Sequence, residues 1–132
     1  MPTVLVAVDS NEARAAAQAA AVRDLPAAAE DCRAVVTHVF DDSRADVIGE
    51  MRPFGSHEGL ASVRRAVTDL RAAGIETVVV DRSGRPARDI LALAAEHDAD
   101  WIVLGNGGRS RLSRRSVSER VRKRTDRPVV VA

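Results

Sequence analysis

What most restricts the fold is a rhythm in the chain: short β-branched and apolar runs, continuous rather than alternating, separated by stretches with helical spacing. The first run is residues 3–8 (TVLVAV), and others stand at 33–40 (RAVVTHVF), 76–80 (ETVVV), 101–104 (WIVL) and 129–131 (VVV). A strand with one wet face alternates polar and apolar residues; a strand covered on both faces by crossover helices has no reason to. Between the runs lie four helical segments. Asp9, Ser10 and Asn11, all good N-cap types, precede an alanine-rich helix over 11–23. Pro26 and the Glu30-Asp31 pair break the pattern after it. Leu60, Val63, Val67 and Leu70 recur at steps of three and four, closed by Gly74 as a C-cap. Pro86 suits a first helical turn, with Ala87, Ile90, Leu91 and Ala94 as the buried stripe. Ser116-Val117-Ser118-Glu119 matches a capping box, so the last helix starts at Val117 and ends near Arg124. Five strands alternating with four helices predict a parallel α/β sheet with helices on both faces, because right-handed crossovers allow little else.

In such a sheet, ligands sit beyond the carboxyl ends of the strands where the winding reverses, usually beside strand one. With strand four as its neighbour there, Ala7, Val8 and Asp9 face Leu104, Gly105, Asn106, Gly107 and Gly108 across one crevice. The stretch 101–121 has the layout of a phosphate-binding turn: a buried strand, a glycine turn, a basic loop and a helix start. Glycines permit close backbone approach, and free N–H groups at a helix N-terminus attract an anion. On spacing alone, a plain β-to-α connector explains the turn equally well. A base would lie against the end of strand one and Val39, with phosphates toward the glycine turn, Arg109, Ser110 and the Ser116–Val117 cap. Asp9 reads equally as a helix cap and as a ligand contact.

Length and charge narrow the classes further. At 132 residues the chain is expected to form one domain with a single core. No apolar run approaches the ~20 residues that cross a bilayer, and strand-like sequence begins at once, so a cytoplasmic protein without a signal peptide is expected. Residues 109–127 carry nine basic side chains against two acidic, a net +7; with +1 overall, the remainder carries −6. That asymmetry favours an anionic partner: a nucleotide or other small anion, an acidic protein surface or a nucleic acid. With no Tyr, one Trp and two Phe, a stacking platform for nucleic acid is missing. A solvated arginine-rich face accounts for the same charge. Cys32 stands alone and reads as a small, partly buried side chain, and His38, inside strand two, as a structural residue. Residues 41–56 show no sustained period and suggest a lid or insertion on the edge of the glycine turn.

TVLVAVDSNEARA, THVFDD, DADWIVLGNGGRS, SVSERV and RPVVVA together resemble the universal stress protein family from end to end. The resemblance implies an adenine nucleotide alpha hydrolase-like fold, a five-stranded parallel sheet in the order 3-2-1-4-5, and a homodimer joined through the last strand. The family's nucleotide-binding branch carries G-x2-G-x9-G-[ST], whose two ends cradle ATP phosphates; for a Mg²⁺ near such phosphates, Asp9 is the only evident acidic candidate in this sequence. Gly105-Asn106-Gly107-Gly108 matches the first half of that motif. In the second half Arg115 stands where the family has glycine, and only six residues separate it from Gly108. The leading expectation is therefore a binding protein of the stress response with a degenerate nucleotide site, its attraction for anions supplied by Arg109, Arg111, Arg114 and Arg115. The alternative is ATP binding with slow hydrolysis or phosphotransfer. No Ser/His/Asp set is evident in the sequence, and whether the chain is an enzyme stays open.

Overall fold

A computed structural model describes residues 1–38, 57–81, 85–105 and 117–132, with the side chains of 57–60 left aside. In chain order its elements are β1 (Thr3–Val8), α1 (Glu12–Arg23), a 3-10 turn (Pro26–Ala29), β2 (Arg33–His38), α2 (His57–Ala72), β3 (Glu76–Val79), α3 (Pro86–Glu96), β4 (Trp101–Leu104), α4 (Val117–Arg124) and β5 (Val129–Val131). The five strands form one sheet in the order β3-β2-β1-β4-β5, every pairing parallel, as expected.

The continuous apolar runs follow from what covers the sheet. Along β1, Val4, Val6 and Val8 join one core with Ala15, Ala19 and Val22 of α1 and Ala66 and Leu70 of α2. Leu5 and Ala7, one residue out of phase, join a second core with Ile90, Leu93 and Ala94 of α3 and Val121 of α4. Side chains alternate faces along a strand, so a sheet buried twice needs apolar residues at both parities. The small alanines of α1 let that helix lie close to the sheet and to α2.

Punctuation in the sequence maps onto chain reversals. Asn11 is the N-cap of α1, its side chain accepting from Arg14 N–H at 2.8 Å. Beyond α2, Gly74 takes φ 80°, and Gly74 N–H and Ile75 N–H bond to Arg71 and Leu70 carbonyls at 2.9 and 3.1 Å. A residue with a Cβ adopts that φ at a cost, which is why glycine closes this helix. Pro86 occupies the first turn of α3.

Four expectations of the fold shift, the first being the single core, which is two, one on each face of the sheet. The buried stripe of α3 runs through Leu93 rather than Leu91, which lies half-buried at the flank of the same core. The break at Pro26 is an ordered 3-10 turn with Leu25 and Ala27 buried. Cys32 is fully rather than partly buried, 5% exposed in the α1/α2 core. The expectations for residues 41–56 and for Val39, Asn106, Gly107, Gly108, Arg109, Ser110, Arg111, Arg114, Arg115 and Ser116 lie outside the described residues.

Candidate functional site at the carboxyl ends of β1 and β4

Register brings the two strands together at the point where winding reverses: α1 and α2 cover one face, α3 and α4 the other. Ala7 pairs with Leu104 of β4 on one side and with Thr37 of β2 on the other. Ala7, Val8 and Leu104 bury their side chains, at 5, 0 and 3% exposure, so they line the crevice only through backbone at the strand ends. Two of those carbonyls are already used: Ala7 O accepts from Gln18, and Leu104 O accepts from Ala132 N–H at 2.9 Å. Val117 opens α4 half-buried against the α3/α4 core.

Asp9 leaves β1 into the crevice. Its Oδ1 accepts from Asn11 N–H at 2.9 Å, and its Oδ2 accepts from Arg14 Nε at 3.0 Å. Its carbonyl accepts from the buried Ser62 hydroxyl of α2 at 2.5 Å. Asp9 is thus not the N-cap of α1; it braces the residue that is, and it leaves 41% of its side chain exposed. Asp9 therefore holds the chain's first turn while presenting a carboxylate to solvent.

Gln18 binds the two strands into one wall. It is fully buried on α1, and its Nε2 donates to Ala7 O at 2.8 Å and to Val103 O at 3.3 Å, one from each strand. Its Oε1 has no hydrogen-bond partner among the described residues. A Cβ built on Gly105 would stand 3.0 Å from that Oε1 and 3.1 Å from Arg14 Cδ. Glycine at 105 thus has a packing reason beside any ligand: α1 approaches β4 too closely for a side chain there.

On the β2 side, Ser10 Oγ and His38 Nε2 form a hydrogen bond of 3.2 Å. Burial pushes the His38 pKa below its ordinary value, while the Asp9 and Asp81 carboxylates oppose the shift. The structure thus assembles a Ser–His pair, flanked by carboxylates, where the sequence showed none. The signal that could have found it is register: Val8 pairs with His38, which brings the residues following β1 over the end of β2. Arg14, read in sequence only as a helix position, also belongs to this crevice, while Gln18 and Ser62, both fully buried, brace its walls from behind. Among the described residues no group of three or more His, Cys, Asp or Glu is placed to hold a metal ion. Nor is any helix among them long and apolar enough to cross a membrane.

A five-stranded parallel sheet in this order, helices on both faces, is a doubly wound α/β fold, the class that takes its ligands at the reversal point where Asp9 and Gly105 stand. The sequence matches the universal stress protein family over residues 1–132, and the chain belongs to that family. No curated protein matches the sequence. Among solved structures, a universal stress protein in complex with cAMP is 24% identical with a TM-score of 0.73, over 99% of this chain and 95% of that one. A universal stress protein from Archaeoglobus fulgidus is 26% identical with a TM-score of 0.71, over 99% and 93%. A universal stress protein from Archaeoglobus fulgidus in complex with dAMP is 24% identical with a TM-score of 0.70, over 99% and 97%.

Proposed function

We propose that this chain binds an adenine nucleotide between β1 and β4 and works in the stress response as a cytoplasmic homodimer, by binding rather than turnover. The observation that carries the proposal is the meeting of Asp9 and Gly105, from different strands, on the two walls of one crevice. The described walls fit such a ligand: Asp9 supplies a half-exposed acceptor, and Gly105 supplies a wall without a side chain. Family members of the same fold in complex with cAMP and dAMP support the choice of ligand.

In this proposal Ala7, Val8, Asp9 and Val39 take the base and sugar, and Leu104 and Gly105 form the opposite wall. Asn106 to Ser110, Arg115, Ser116 and Val117 receive the phosphates. Arg115 in place of the family's glycine makes the cradle degenerate, so affinity rests on arginine charge and falls steeply with salt. A Mg²⁺ accompanying the phosphates would be held by Asp9 only once Arg14 has released Oδ2. The dimer forms along β5, an edge strand whose Val129, Val130 and Val131 stay half-buried beside one neighbour, β4. Val130→Lys then yields monomer by light scattering; a wild type already monomeric at micromolar concentration removes the dimer.

Calorimetric titration of ATP, ADP and AMP, with and without Mg²⁺, tests the ligand. Salt-sensitive binding is expected. Absence of heat for all three at millimolar concentration would overturn the nucleotide proposal, and tight salt-insensitive ATP binding would overturn the degenerate cradle.

A further inference from the structure

Arg14 lies across the crevice from one wall to the other. At one end its Nε donates to Asp9 Oδ2 at 3.0 Å, beyond the carboxyl end of β1. Along its stem, Cδ and Cγ lie 3.1 and 3.6 Å from where a Cβ on Gly105, beyond β4, would stand. The absence of a side chain at 105 is what gives the arginine this path. The ion pair is neither core nor free surface: 29% of the Arg14 side chain and 41% of the Asp9 side chain are exposed. Asp9 stays in place whatever Arg14 does, because Asn11 N–H holds its other oxygen and Ser62 holds its carbonyl. Arg14 has no second anchor of that kind among the described residues, and its bond to Asp9 is made by a long, flexible stem.

A ligand that spans from Asp9 to Gly105 must occupy the volume through which this side chain runs. The guanidinium then gives up its carboxylate and stays charged, since arginine does not deprotonate. What happens next depends on the ligand. A neutral nucleoside offers Asp9 an N–H or O–H donor but leaves the displaced guanidinium without an anion. A phosphorylated nucleoside supplies one, on the Gly105 side where the stem already lies, in the planar two-donor geometry that guanidinium and phosphate share.

We propose that Arg14 is a specificity-determining residue: through its exchange between Asp9 and a ligand phosphate, the β1/β4 crevice favours nucleotides over nucleosides. This rests on the nucleotide proposal above. Arg14 sits in the first turn of α1 with its backbone N–H, not its side chain, in the cap, so substitutions leave the helix cap intact.

AMP and adenosine are titrated into the full chain, in wild type, Arg14→Gln and Arg14→Lys, with folding checked by circular dichroism. Wild type is expected to prefer AMP. Arg14→Gln lowers the AMP-to-adenosine preference about tenfold, AMP weakening while adenosine holds or tightens, and Arg14→Lys retains most of it. A merely structural arginine would move both ligands together; a preference unchanged in Arg14→Gln, with both ligands still binding, overturns the inference alone. Binding of neither ligand to the wild type removes the nucleotide proposal and this inference with it.

Discussion

The two ends of this sheet are built from the same kinds of residue and finished in opposite ways. At the amino end, Asp100 Oδ2 accepts from Thr3 N–H at 2.8 Å while Asp100 N–H donates to Thr3 O at 2.7 Å, stitching β1 to the entry of β4. Arg127 donates to Ala99 O at 2.7 Å and reaches Asp98 at 3.4 Å, and Arg33 N–H donates to Pro2 O at 2.9 Å. An open groove of about 610 Å³ lies there, lined by Leu91, Asp100, Arg124, Arg127 and Pro128 among others, but Asp100 and Arg127 spend their hydrogen bonds on the protein itself. At the carboxyl end, Gln18 keeps a buried oxygen without a partner among the described residues, and Asp9 shares its carboxylate with a side chain that can leave. An unpartnered buried atom does not by itself separate the ends, since Arg33 Nε at the start of β2 also lacks a hydrogen bond among the described residues; what sets the carboxyl end apart is an exchangeable ion pair, Asp9 with Arg14, at a half-exposed position.

The largest contrast is between Gln18 and Asp100, each of which bonds to a neighbouring strand. Gln18→Ala leaves Ala7 O and Val103 O without their amide and opens a cavity in a fully buried site, and is expected to lower stability by about 2–4 kcal/mol in urea unfolding. Asp100→Ala removes one bond at an exposed position and costs about 1 kcal/mol, with nucleotide affinity unchanged. Equal losses from the two changes would erase the distinction drawn between the ends.

His38 sharpens the comparison by pH. Burial lowers its pKa below 6.5, against the pull of Asp9 and Asp81, so a proton binds the unfolded chain more tightly than the folded one. The stability that neutral His38 contributes is present above pH 6.5 and is lost as pH falls from there through the folded pKa. His38→Gln flattens that part of the stability curve, and an NMR titration of the wild-type ring gives a midpoint below 6.5. A midpoint above it would mean that the two carboxylates outweigh burial.

The sheet was legible because burial on both faces writes itself into sequence as runs such as TVLVAV, and because Asn11, Gly74 and Pro86 stand where backbone geometry demands them. Periodicity placed the stripe of α3 but could not choose between Leu91 and Leu93, adjacent to its line on either side. The crevice was half legible. Asp9 and Gly105 announce themselves at strand ends. Gln18 and Arg14 do not: in an alanine-rich helix one reads as a polar interruption and the other as a solvated charge. Only the approach of α1 to β4, seen in what a Cβ on Gly105 would strike, brings them to the walls of a site. Likewise Ser10 and His38 are 28 positions apart and meet only through the β1–β2 register.

The central claim, that the carboxyl end of β1 and β4 takes the nucleotide, is tested most directly by backbone amide NMR of the wild-type chain titrated with AMP. Shifts are predicted at Asp9, Asn11, Arg14 and Gly105 and in the Gln18 side-chain amide, with Asp98, Asp100 and Arg127 unmoved. Saturable shifts centred on the amino end, around Asp100 and Arg127, with the carboxyl end silent, would contradict it.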